Sequence, residues 1–173
     1  IMNIAEIAGD GILGMNGLQV RNATTRTLNF TNNIEVVAGS SNEFSVVTDN
    51  NNNARYIEIY SNLTGSGQLT LRSRHGSNYY GVHLRGDNTE FAGSIYTYPY
   101  NTGTTMRNNS YLADGNASSS NAVWDVYNGQ SNGQSFVQKG ATTYWFGALN
   151  GNVSLLDSNS KSNPTFEIGA LAG

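Results

Sequence analysis

The chain has 173 residues with a formal net charge of −3, and charged residues make up only 12% of it. This length is sufficient for one domain with a substantial core. The sequence has no basic stripe for nucleic acid and no cationic amphipathic stretch for a membrane surface. Because it contains no cysteine, it excludes disulfides, zinc–thiolate sites and iron–sulfur clusters, and we predict neither a cofactor nor a metal site.

Short alternating apolar segments recur along the chain and predict β-strands with a period of two residues. In chain order they are TLNFTNNIEVV (27–37), YIEIY (56–60), QLTL (68–71), GVHL (81–84), SIYTY (94–98), AVWDV (122–126), NVSLL (152–156) and TFEI (165–168). Gly, Asn, Asp or Ser follows nearly every segment, as expected for tight turns. No stretch shows helical spacing over ten residues, so the sequence predicts an all-β fold. We expect residues 96–123 to form longer loops that protrude from one face.

The spacing of repeated phrases indicates how the strands are arranged. GALNG (147–151) returns as GALAG (169–173), and Ile34 and Ile57 have nearly the same spacing as these two copies. A period of roughly 20 to 25 residues is typical of one winding of a solenoid. We therefore predict a single parallel β-helix unit over residues 1–173, with about eight windings of roughly 22 residues and a length on the order of 40 Å. A β-sandwich is the alternative, because some turn signals recur every 8 to 12 residues, as in sandwiches.

Two stretches resemble the autotransporter-associated β-strand repeats of bacterial secreted proteins: LTGSGQLTL (63–71) and VHLRGDNTEFAGSIY (82–96). The residues that carry the resemblance are Leu63, Gly65, Gly67, Leu69 and Leu71, then Leu84, Gly86, Asn88, Phe91, Gly93 and Ile95. The two Gly-Ala-Leu-x-Gly phrases resemble the linking coils of the same family. The resemblance covers roughly residues 60–100 and 145–173. It implies a right-handed parallel β-helix, extracellular or on the bacterial cell surface, that acts in adhesion or scaffolding more often than in catalysis.

The two ends of the sequence resemble each other and predict end-to-end stacking. Glu6 and Ile7 near the start match Glu167 and Ile168 near the end, and both pairs lie in similar apolar segments. Natural solenoids cover their ends with a polar cap or a helix, and no such segment is evident in this sequence. We hypothesise that the unit stacks end to end, on copies of itself or on neighbouring repeats of a longer chain or fibre. The candidate contact residues are Ile4, Ile7, Ile12, Phe166, Ile168 and Leu171.

A group of aromatic and basic residues supplies a second hypothesis, in which the chain binds glycans or a host surface without polymerising. Exposed tyrosines stack on sugars or partner proteins, and alternate arginines can bind an anionic sugar. Two simpler interpretations compete: the tyrosines pack a loop onto the solenoid, and the arginines lie at a solvated corner. The candidate contact residues are Tyr96, Tyr98, Tyr100, Arg72 and Arg74.

The acidic residues do not form the pairs that catalysis on polysaccharides requires. Hydrolases use two carboxylates at a set separation, and calcium-dependent lyases use clustered acids. Glu35 and Glu58 have the same spacing as Ile34 and Ile57 and would stack on the outer face as a solvated ladder. His83 is expected to point outward, and the tripeptide 85–87, Arg-Gly-Asp, is explained by its turn. We predict that the chain is not an enzyme, and a polysaccharide lyase or hydrolase ranks third.

Overall fold

A computed structural model of the chain describes residues 6–23, 27–47, 56–74, 81–99, 109–112, 115–126, 134–138, 143–151, 153–157 and 165–172. Within them, 18 strands and one short 3-10 helix, Gly115–Ala117, follow one another along the chain. The strands belong to three sheets, and all the pairings between them are parallel.

The strands are numbered in chain order and grouped by sheet. Sheet A contains, in spatial order, β1 (Glu6–Ile7), β4 (Thr27–Phe30), β7 (Tyr56–Ile59), β10 (Gly81–Leu84), β12 (Asn109–Leu112), β14 (Gln134–Gln138) and β16 (Val153–Asp157). Sheet B contains β2 (Ile12–Met15), β5 (Asn33–Val36) and β8 (Leu63–Gly65). Sheet C contains β3 (Gln19–Asn22), β6 (Ser41–Val47), β9 (Gln68–Arg74), β11 (Ser94–Pro99), β13 (Ser119–Val126), β15 (Thr143–Gly151) and β17 (Thr165–Ile168), with β18 (Leu171–Ala172) also paired to β15.

The connectivity makes the molecule a parallel β-solenoid. The chain passes through sheets A, B and C in turn for its first three windings, and from β10 to β17 it alternates between sheets A and C. Each strand therefore lies beside the strand of the same sheet in the next winding. The prediction of an all-β parallel β-helix is confirmed. The sandwich alternative is wrong, because a sandwich is built from antiparallel strands.

The winding length varies along the solenoid. Leu149 pairs with Leu171, which confirms that the repeated Gly-Ala-Leu phrases are one winding apart. Asn29, in contrast, pairs with Glu58, so that winding is several residues longer. Each long sheet has a path of seven successively paired strands in the part of the chain that the structure describes, against the eight windings expected from a uniform repeat.

The proposed stacking of Glu35 on Glu58 is wrong, because these residues lie in different sheets. Glu35 is in sheet B and pairs with Thr64, whereas Glu58 is in sheet A and pairs with His83. The spacing between Ile34 and Ile57 is likewise not one winding, because Ile34 pairs with Leu63.

The expectation of protruding loops over residues 96–123 is wrong for the described parts of that segment. Strand β11 continues to Pro99, and β12 lies in sheet A between β10 and β14. The 3-10 helix and β13 follow. The sequence of β12, NSYL, is short and half polar, so its apolar period is not visible in the sequence.

The core fills the space enclosed by the three sheets. Alternate residues point inward, so that in β5 Ile34 and Val36 are fully buried while Asn33 and Glu35 are exposed. Each fully buried aliphatic or aromatic side chain contributes about 1.5–3 kcal/mol relative to exposure. The largest buried side chains are Trp124, Tyr144, Phe30, Phe44, Phe91, Phe146 and Met15. Two edge-to-face aromatic pairs lie among them, Phe30 with Phe44 at 5.0 Å and Trp124 with Phe146 at 5.4 Å between ring centroids.

Candidate functional site

The register of sheet C brings most of the predicted binding residues onto neighbouring positions. Tyr96 pairs with Thr70, and Tyr98 pairs with Arg72 in the preceding winding. Leu69, Leu71 and Ile95, on the alternate positions of the same strands, are buried in the core. Residues 70, 72 and 96 therefore lie on the outer side of the sheet.

The Arg72 guanidinium forms an ion pair on this outer side with Glu43 of the preceding winding. Its Nε lies 3.2 Å from Glu43 Oε2, with the arginine side chain 39% exposed. Tyr96 is half-buried. An exposed ion pair of this kind contributes little to stability, but it places a cation on the same side of the sheet as Tyr96.

Three of the predicted binding positions are described only in part or not at all. The structure describes the backbone of Tyr98 and Arg74 as strand residues of sheet C. Tyr100 lies outside the described residues. The prediction of an aromatic and basic surface therefore rests on Arg72, Tyr96 and the strand register.

The residues predicted for end-to-end contact lie on the outermost described strands. Ile7 of β1 and Phe166 and Ile168 of β17 are half-buried and pack against the core from the two ends of the stack. Ile12 of β2 is 67% exposed. The backbone of Leu171 pairs with Leu149, and Ile4 lies outside the described residues.

A charged cluster that the sequence interpretation missed lies on the outer side of sheet A. Glu58 and His83 pair across β7 and β10, and Arg85 directly follows β10. His83 Nδ1 lies 2.8 Å from Glu58 Oε1, while Arg85 donates from Nε to Glu58 Oε2 and from its Nη2 to Oε1 at 3.3 Å. Glu58 and His83 are 8% and 6% exposed. His83 lies on the outer side of the sheet, as expected, but its side chain is buried there.

The electrostatics of this cluster keep Glu58 ionised. Burial alone would raise the pKa of Glu58, but hydrogen bonds and charge interactions with His83 and Arg85 outweigh it and hold the pKa below its usual value. The hydrogen bond to Glu58 raises the pKa of Arg85. The Arg85 guanidinium also lies over the ring of Tyr60, 5.8 Å from its centroid.

The arrangement around Glu58 fits a structural role better than a catalytic one. Both carboxylate oxygens are occupied by hydrogen bonds from the same winding interface. Because Arg85 is engaged by Glu58, the tripeptide at 85–87 does not present a free arginine. In the sequence, only the spacing between Glu58 and His83 indicates this cluster. That spacing is informative only when the length of this winding is known.

The described residues contain no group of three or more His, Cys, Asp or Glu side chains that could hold a metal ion. No helix within the described part of the chain has the length and apolarity needed to span a bilayer.

Comparison with known proteins gives no match for this chain: no family model matches it, and neither a curated protein nor a solved structure shows significant similarity to it.

Proposed function

We propose that the chain is a non-enzymatic structural and adhesive element of a bacterial cell surface, whose solenoid lengthens by stacking end to end on further copies. The observation that carries the proposal is the pair of open sheet edges at the two ends of the described stack. Within the described residues, β1, β2 and β3 each pair with one strand, and so do β16 and β17 at the opposite end.

An open edge presents unpaired N–H and C=O groups, which are a template for another strand. The apolar side chains at these edges are only half covered: Ile7, Leu13 and Val20 at one end, and Phe166 and Ile168 at the other. A further winding would complete both their burial and the hydrogen bonding of the edge. Contact between two different ends of identical units is heterologous and produces an open filament.

The extracellular location and the scaffolding role rest on the resemblance to autotransporter-associated repeats. The positions that carry the resemblance have clear physical roles in this chain. Leu63, Leu84 and Phe91 are fully buried, and Asn88 is 1% exposed. The motif residues are buried between windings and offer no exposed reactive group, which supports a structural role.

Sedimentation velocity over a concentration series tests the stacking. We expect the wild-type protein to associate into a continuous series of larger species as its concentration rises. Ile168→Lys at one end and Val20→Lys at the other should each lower this association at least tenfold, because each places a charge in the new interface.

The control is Val123→Lys, which adds the same charge on a central strand at a side chain that is already 37% exposed. It should associate like the wild type. A wild-type protein that stays monomeric at all concentrations, or end variants that associate as strongly as Val123→Lys, would contradict the stacking proposal.

Glycan or host-surface binding is the second candidate function, favoured by the register that sets Tyr98 beside Arg72. Alanine at Tyr96, Tyr98 and Tyr100 tests it. Loss of glycan binding with an unchanged unfolding midpoint supports this function, and unchanged binding contradicts it.

A further inference from the structure

The structure contains a shallow groove on the outside of sheet B, away from Tyr96 and Arg72 on sheet C. Its volume is about 270 Å³, and it is lined by Ile12, Asn33, Asn62, Thr64, Asp87, Thr89 and Glu90. The lining residues come from four successive windings, so the groove runs along the axis of the solenoid. Ile12 pairs directly with Asn33, and Asn62 contacts Asp87 in the following winding.

Several polar groups of the groove are held in place by hydrogen bonds to the neighbouring backbone. Asn62 Oδ1 accepts from the Asp87 N–H at 2.8 Å, and the exposed Asn62 side chain carries an NH₂ group that can donate. Asp87 Oδ1 accepts from the Thr89 N–H at 3.1 Å and from its hydroxyl at 2.7 Å. These Thr89 bonds lower the pKa of Asp87, so the carboxylate is an acceptor at neutral pH.

The groove also contains an apolar surface that the fold does not use. Ile12 is 67% exposed and is the most exposed large hydrophobic side chain among the described residues. An exposed apolar side chain beside fixed donors and acceptors is a common composition for a ligand site. Fixed polar groups provide orientation, and the apolar side chain provides contact with a C–H face.

The charges of the groove restrict the ligand. Asp87 and Glu90 are both acidic and exposed, and among the described residues no Lys, Arg or His lines the groove. An anionic ligand would meet like charge without a compensating cation. A neutral polyhydroxylated ligand matches the amide donors and carboxylate acceptors, because each hydroxyl group can donate and accept.

We propose that this groove binds a neutral saccharide chain lying along the solenoid axis, with Ile12 against its apolar face and Asn62, Asp87 and Glu90 bonded to its hydroxyl groups. The proposal uses a different surface from Tyr96 and Arg72, and it shares only Ile12 with the candidate residues for end-to-end contact. In a stacked filament, the groove would recur once per copy.

The test is binding to an array of neutral and uronic-acid oligosaccharides, with a basic peptide included, in buffer containing EDTA. We expect binding to at least one neutral oligosaccharide, weakened tenfold or more in Ile12→Ser/Glu90→Ala. The double variant should keep the wild-type unfolding midpoint, because both side chains are exposed. If the double variant is destabilised, the single Glu90→Ala variant is used in its place.

A control separates this groove from other exposed apolar positions. Val123→Ser removes an exposed apolar side chain from sheet C and should bind like the wild type. The proposal is overturned if no neutral oligosaccharide binds, if uronic acids or the basic peptide are preferred, or if the groove variant binds undiminished. Glu90 lies outside the edge strands, so the outcome for the single Glu90→Ala variant does not depend on whether the protein stacks.

Discussion

Asn88 shows how a single side chain joins three windings. Its Oδ1 accepts from the Leu63 N–H at 2.9 Å in the preceding winding, and its Nδ2 donates to the Ala117 carbonyl at 3.0 Å in the following one. The side chain is 1% exposed, so water cannot replace either bond. A buried amide with both ends satisfied fixes the register of the stack at this corner.

Replacing Asn88 by Ala should destabilise the protein by about 2–4 kcal/mol, because it leaves a buried donor and a buried acceptor without partners. Urea unfolding of Asn88→Ala measures this loss. Asn33→Ala, at an exposed strand position, is the matched control and should stay within about 0.5 kcal/mol of the wild type. Equal stability of the two variants would show that the bridge contributes nothing.

Glu58 should make stability depend on pH in the acidic range. Its folded pKa lies below the ordinary value of 4.5, so its stabilising contribution is complete above that value and is lost as the pH falls through the folded pKa. Glu58→Gln should cost about 2 kcal/mol at pH 7, the usual worth of charged hydrogen bonds. This difference should shrink as the pH falls below 4.5.

Urea unfolding between pH 3 and pH 7 checks this expectation. Glu43→Gln, which removes the carboxylate from the more exposed pair with Arg72, serves as the control and should cost less than about 1 kcal/mol. A Glu58→Gln deficit that does not change with pH would mean that the carboxylate charge is not what stabilises the cluster.

At the scale of elements, the close approach of neighbouring windings decides which residues the corners accept. A Cβ at Gly86 would collide with the carbonyl group of Ser61 in the preceding winding. At Gly14, on the exposed side of β2, a Cβ would meet no atom within 4 Å. The close packing of windings therefore requires glycine at position 86 but does not require it at position 14.

Gly86→Ala should destabilise the protein by roughly 2 kcal/mol or more, because the contact is with backbone that cannot move without separating two windings. Gly14→Ala should be neutral or stabilising by up to about 1 kcal/mol, because alanine restricts the unfolded chain. Thermal unfolding of the pair provides the comparison. A neutral Gly86→Ala variant would contradict the close approach of the windings.

Strand identity was predictable from sequence, because alternation in segments such as QLTL and GVHL reports burial directly. Winding length was less predictable from sequence, because the connections between strands differ in length from one winding to the next. If the winding length is taken a few residues too short, Glu58 is predicted to stack on Glu35, whereas its partner in the structure is His83. The groove on sheet B was also invisible in the sequence, because four windings supply its residues.

At the scale of the whole molecule, stability is distributed along a stack in which each winding contacts its neighbours. The loss of one interior contact, such as Ile57→Ala, should cost about 2–5 kcal/mol and be felt by both adjacent windings. The outermost strands have a partner on one side only in the described residues. They therefore lack one of the two neighbours that an interior strand has, and stacking on a further copy would supply it.

Electron microscopy of the concentrated native protein tests the central claim most directly. End-to-end stacking predicts unbranched filaments of uniform width, with an axial repeat on the order of 35 Å for the seven windings that the described residues form, spaced about 4.8 Å apart. Ile168→Lys and Val20→Lys should abolish them, and Val123→Lys should not. Isolated particles at every concentration would contradict the stacking of solenoid ends.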